Sequence, residues 1–157
     1  MGDAAETHHG TAIALAGNAA LIRGASGAGK SDLALRCLSL APTAVIGCPA
    51  MLVADDRIVL TRKGERLTAE APATIRGKLE VRGLGIVTVP ALASAEVVLI
   101  ADLIAPERIE RLPDPAPETE LMGVRLPLLH IAPFEAAAHI KLLLALAMRF
   151  RPPANGV

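Results

Sequence analysis

The sequence has no tryptophan and no tyrosine, and its only phenylalanines are Phe134 and Phe150. So few aromatic rings leave no stacking platform for single-stranded nucleic acid. Neither sign of charge is in excess: Lys plus Arg and Asp plus Glu each number 16 in 157 residues. No bulk field therefore draws the chain to nucleic acid or to an anionic membrane. The two cysteines, Cys37 and Cys48, lack metal-ligand spacing and indicate reduced, structural thiols in a cytosolic protein. Residues Met1 to His9 are polar and acidic rather than basic and then apolar, so they form no signal peptide, and Glu6 spoils the myristoylation pattern that Gly2 begins. No apolar run reaches transmembrane length, because Glu96 and Asp102 break Ala93 to Ala105 and the last apolar stretch carries His139 and Lys141. The expectation is a cytoplasmic protein that binds neither nucleic acid nor membrane.

What the chain does have is a hydrophobic half, 52% of its residues, enough for one core without disulfides or metals. We expect a single domain over residues 1–150 and a disordered tail over 151–157. The feature that constrains the chemistry is Gly24-Ala25-Ser26-Gly27-Ala28-Gly29-Lys30-Ser31, which fits G-x-x-x-x-G-K-[ST] at every fixed position. Glycines there let successive N–H groups turn inward around phosphate oxygens. Lys30 would place its charge on the β- and γ-phosphates, and the Ser31 hydroxyl would take one position on a magnesium ion. The flanks agree with a phosphate loop. Thr11 to Ile22, interrupted at Gly17-Asn18, predicts two strands joined by a turn. From Lys30 to Leu40 the apolar residues Leu33, Ala34, Cys37 and Leu38 fall at helical spacing.

Further along, Ala41 to Pro49 is a connector, and Met51 to Ala54 predicts a short buried strand that ends at Asp55-Asp56. Two readings of that pair stay open. Phosphoryl-transfer enzymes place acids for magnesium or for the attacking hydroxyl at such a site, yet Asp-Asp-Arg also suits a hairpin turn before a strand over Ile58 to Arg62. If one strand runs through both residues, their side chains alternate and they do not share one job. In Gly77 to Ile86 an acid and an arginine, Glu80 and Arg82, share a strand face and lead into a Gly-x-Gly turn. Pro133 to Phe150 predicts a helix with Ala136, Ala137, Ile140, Leu143, Leu144 and Ala147 on one side.

With His9-Gly10, the phosphate loop and Ala54-Asp55-Asp56, the segment LEVRGLGI at residues 79–86 resembles the catalytic domain of bacterial HPr kinase/phosphorylase. Four separated motifs stand in the family's order over most of residues 8 to 135. The resemblance implies an α/β fold with a mixed or antiparallel sheet around the phosphate loop, like that of phosphoenolpyruvate carboxykinases. It implies an ATP- and Mg²⁺-dependent serine kinase acting on the phosphocarrier protein HPr or a close relative in phosphotransferase-system regulation, assembled as a homo-oligomer. The implied catalytic residues are His9, Lys30, Asp56 and Arg111, the last in Glu110-Arg111-Leu112, and the implied metal ligands are Ser31 and Glu80. Asp56 would be the general base and His9 an orienting or electrostatic group; Arg82 and Arg111 would neutralise phosphate or meet an acidic partner surface. The base of the nucleotide would rest on apolar and backbone contacts. The family also runs the reverse, phosphorylase direction, but Leu126 to Pro133 carries no arginine where longer members have an arginine-bearing loop tied to dephosphorylation. A nucleotide-binding sensor that transfers nothing is the alternative from another class.

Overall fold

A computed structural model describes residues 3–149. The expected tail over 151–157, and Phe150 at the end of the expected last helix, lie outside the described residues. In chain order the elements are β1 (Ala4–Leu15), β2 (Asn18–Arg23), α1 (Lys30–Ser39), β3 (Met51–Lys63), β4 (Arg66–Glu70), β5 (Lys78–Val81), β6 (Gly85–Thr88), β7 (Ala95–Leu103), β8 (Glu118–Leu121), β9 (Val124–Ile131) and α2 (Ala138–Arg149).

Local chemistry explains the first hairpin. Leu15 pairs with Asn18, leaving a two-residue loop in which Ala16 and Gly17 have φ of 49° and 83°. Positive φ at both positions matches the right-handed twist of the flanking strands. The turn thus lies one residue earlier than the expected Gly17-Asn18. β1 reaches back to Ala4, so His9 stands inside the first strand rather than before it.

A seven-stranded sheet has the order β2-β1-β3-β4-β7-β9-β8, and β2 also pairs with β7. The first part of the sheet therefore returns on itself, with β4 on the first residues of β7 and β9 on the last. The β2–β7 and β7–β9 ladders are parallel and the others antiparallel, which makes the sheet mixed as expected. β5 and β6 form a separate hairpin.

Both faces of the central strands are buried, which is why they read as near-continuous apolar runs. One face supplies a cluster made almost entirely of strand residues, among them Ala12, Ala14, Ala19, Leu21, Ile58, Leu60, Leu67 and Ala69. The alternating residues Ile13, Leu15, Ala20 and Ile22 face a second cluster, which Leu33 and Cys37 of α1 and Leu142, Leu143 and Leu146 of α2 complete. At roughly 25 cal/mol per Å² of buried apolar surface, these two layers supply the main driving force for folding.

Three further segments are settled by the structure. β3 runs unbroken through Asp55-Asp56-Arg57, so no hairpin forms there; the chain reverses at Gly64-Glu65 instead. α2 starts at Ala138, not Pro133, because residues 132–137 are taken up by backbone turns, with Glu135 N–H bonded to Ala132 O and Ala138 N–H to Glu135 O. Leu126–Ile131, where longer members of the resembled family carry a loop, belongs to β9.

Candidate active site

The strand–loop–helix order at the phosphate loop is as expected: β2 ends at Arg23 and α1 begins at Lys30. Gly29, at φ 104°, sits in a backbone conformation that L side chains rarely adopt, and no side chain caps the helix that follows. The first turn of α1 thus leaves N–H groups and the positive end of the helix dipole for an anion. The Lys30 Nζ donates to the carbonyls of Gly24 (2.7 Å) and Ala25 (2.9 Å), holding the ammonium across the loop.

Around this loop opens a cavity of about 380 Å³ lined by Ser26, Gly27, Gly29, Lys30 and Ser31 from the loop, His9 and Thr11 from β1, Asp55 and Asp56 from β3, and Glu80 and Arg82 from the β5–β6 hairpin. Asp32, Leu35, Val81 and Phe134 complete the wall. Of the expected site residues, the fold brings His9, Lys30, Ser31, Asp56 and Glu80 together here. Gly24, Ala25 and Ala28 lie in the loop itself, with the Ala28 N–H bonded to Ala25 O at 3.0 Å. Arg82 reaches the loop too: a β-carbon added at Gly27 would lie 3.8 Å from its Nη2. Arg111 does not. It lines a second cavity of about 390 Å³ with Glu110, His130, Glu135 and Lys141, because proline-bearing residues 104–117 run along β9.

Asp56 is the structural anomaly of the site. Its φ of 70° places a non-glycine residue in the left-handed region within a strand, a conformation that Asp tolerates better than most residues but that still stores strain. The strand does run through both residues, and although both line the cavity they stand in different settings, Asp55 buried and Asp56 exposed, as expected of two side chains that do not share one job. The Asp56 Oδ1 lies 3.4 Å from the His9 Nδ1, and both side chains are at least half exposed. Such an exposed pair adds little stability.

Asp55 is the residue that the sequence did not single out for a role. It is buried, faces Thr11 across the β1–β3 ladder, and accepts hydrogen bonds from the Thr11 Oγ1 (2.8 Å), the Ser31 Oγ (2.8 Å) and the Glu80 N–H (3.2 Å). These bonds tie the phosphate loop, β1, β3 and the β5–β6 hairpin to one carboxylate. The available signal was that a buried acid opposite a buried threonine needs such partners.

The donor set fits Mg²⁺. Asp55 is a buried carboxylate with hydroxyl and amide partners but no ion pair among the described residues, and Ser31 and Glu80 add hard oxygen donors in the same cavity. Among the described residues no three His, Cys, Asp or Glu side chains converge as a metal cluster. Mg²⁺ bound with nucleotide does not require one, since it uses one or two carboxylates plus water and phosphate oxygens. Among the described residues no helix is long and apolar enough to cross a membrane.

Comparison with known proteins shows the family. Residues 3–157 match the HPr Serine kinase C-terminal domain family. An HPr kinase/phosphorylase from Chlorobium phaeobacteroides is 33% identical over 141 residues, which is 82% of this chain and 41% of that protein. An HPr kinase/phosphorylase from Streptococcus gordonii is 31% identical over 160 residues, 94% of this chain and 49% of that one. The chain thus spans less than half the length of these relatives. The solved structure of the Hpr(Ser) kinase/phosphatase from Coxiella burnetii superposes with a TM-score of 0.72 at 25% identity, covering 92% of this chain and 91% of that chain.

Proposed function

Since this chain belongs to the HPr serine kinase C-terminal domain family, we propose that it is an ATP- and Mg²⁺-dependent serine kinase whose substrate is HPr or a close relative of it. The observation that carries this reading is Asp56, a strained and solvent-accessible carboxylate in the same cavity as Lys30 and Ser31 of the phosphate loop.

In this reading the seryl hydroxyl of the substrate enters at the accessible end of the cavity and gives its proton to Asp56 as its oxygen bonds to the γ-phosphorus of ATP. The bond from that phosphorus to the β–γ bridging oxygen breaks, and ADP leaves. His9 orients the Asp56 carboxylate, and Lys30 offsets the charge on the transferring group. Arg82, above Gly27, adds positive charge beside the phosphates. Mg²⁺, held by Ser31 and Glu80 with Asp55 behind them, would neutralise β- and γ-phosphate oxygens when bound. The same Asp56 carboxyl returns its proton to the seryl oxygen when phosphate or water attacks phosphoserine, the reverse direction. Arg111, outside the phosphate cavity, is assigned to an acidic surface of the protein substrate. A cytoplasmic homo-oligomer with the phosphoenolpyruvate carboxykinase-like fold completes the reading.

The test is transfer itself. Incubation with labelled ATP, Mg²⁺ and HPr, followed by intact-protein mass and phosphosite mapping, should give stoichiometric phosphoserine. Measured ATP binding without transfer to HPr would overturn the proposal and leave a nucleotide-binding sensor in its place.

A further inference from the structure

The cavity's lining is chemically mixed. His9, Thr11, Asp55 and Asp56, from β1 and β3, are polar, while Leu35 and Phe134 contribute large apolar side chains near the first turns of α1. Phe134 is the unexpected member. It is 73% exposed, in a chain whose only other aromatic residue is Phe150. Its ring lies against the phosphate loop: a β-carbon built at Gly29 would meet its Cζ at 3.0 Å and its Cε1 at 3.2 Å.

The backbone on either side of this ring is fastened. Arg36 of α1 donates to the carbonyl of Pro133 and to that of Glu135 (3.4 Å), and is itself paired with Asp32 at 3.0 Å. The Glu135 side chain is held by Lys141 at 2.6 Å. An exposed aromatic ring on a tethered turn, touching the glycine that opens the phosphate-binding helix, is preorganised for a flat apolar ligand. A nucleotide whose phosphates fill the loop has one such part, its base.

We infer that Phe134 is the platform on which the nucleobase of the bound nucleotide rests, with Leu35 beside it. This rests on the loop holding a nucleoside phosphate, as proposed above, but not on phosphoryl transfer. Neither side chain offers a hydrogen bond to a base edge, so the site takes purine nucleoside triphosphates with little discrimination between adenine and guanine.

The experiment compares ATP, GTP and inorganic tripolyphosphate by calorimetry, each with Mg²⁺, on the wild type and Phe134→Ala. The expected result is a loss of about ten-fold in affinity for both nucleotides and none for tripolyphosphate, the size of one base–aromatic stack. Phe134→Trp introduces the chain's sole indole; it should retain nucleotide affinity, and ATP but not tripolyphosphate should quench its fluorescence. Equal losses for all three ligands, unchanged ATP affinity, or an effect confined to the KM for HPr would overturn the inference. A wild type that binds no ATP would overturn both readings, whereas one that binds ATP through Phe134 and transfers nothing would sink the kinase reading alone.

Discussion

The strand-built cluster and the phosphate-loop cavity share strands β1 and β3 but follow opposite rules. In the cluster every buried side chain is apolar, and the small residues Ala12, Ala14, Ala19 and Ala69 let a tightly returning sheet close over Leu21, Ile58, Leu60 and Leu67. Around the cavity those rules are broken. The buried polar or charged residues among those described are Thr11, Lys30 and Asp55, and all three line it. Positive φ at the non-glycine residues Ala16 and Met122 falls in two-residue hairpin loops, where the turn demands it; at Asp56 it falls within a strand. The difference separates residues that hold the fold from residues that the fold holds, against the usual rules of burial and backbone, around one cavity.

The largest effect should come from Asp56→Asn, which keeps shape and removes the proton acceptor. Turnover should fall by about 10²–10⁴-fold while ADP affinity, measured by calorimetry, stays near wild type. An equal loss of affinity would mean that Asp56 serves binding. Leu60→Ala probes the other region. It should lower the stability read from urea denaturation by about 2–5 kcal/mol, with turnover per folded molecule little changed. A selective loss of turnover there would show that the two regions are coupled.

Much of this contrast was legible in the chain, and the parts that were not have physical causes. The phosphate loop, β2 and α1 depend on adjacent residues and were read with nearly the right bounds. The returning sheet was not, because the β2–β7 ladder joins residues such as Ala20 and Leu99 that no local pattern connects. Asp56 stands out through the family motif, which gives Asp55 no role, and no sequence pattern shows that a residue in the left-handed region lies within β3 where both aspartates line one cavity. The start of α2 was set too early because Pro133 opens an apolar run, and nothing in the sequence shows that Arg36 claims the carbonyls on both sides of Phe134.

A smaller effect measures the strain at Asp56 directly. Alanine there keeps the left-handed backbone and removes the carboxylate; glycine also removes the strain. Asp56→Gly should therefore be more stable than Asp56→Ala by about 1 kcal/mol, although both lack the carboxylate. Equal stability of the two variants would mean that β3 relaxes without its aspartate and that the strain is not imposed by the sheet.

The smallest effect near neutral pH concerns the helix-covered cluster, which holds a titratable group without using it. Burial pushes the Cys37 thiol up from 9.0 to about 12, against a weaker opposite pull from the Arg36 charge. The folded state then keeps a proton that the unfolded chain releases first. The resulting contribution to stability is fully present below about pH 9 and is lost as pH rises from 9.0 toward about 12. Urea midpoints between pH 8 and 11 should fall more steeply for the wild type than for Cys37→Ala, and the slope is the readout because the lost side-chain volume lowers the variant at every pH. At pH 8 a thiol reagent should modify half-buried Cys48 in the native protein and reach Cys37 only on unfolding. Parallel slopes would show that the thiolate is accommodated between α1 and α2, and that this layer, unlike the strand-built cluster, admits charge.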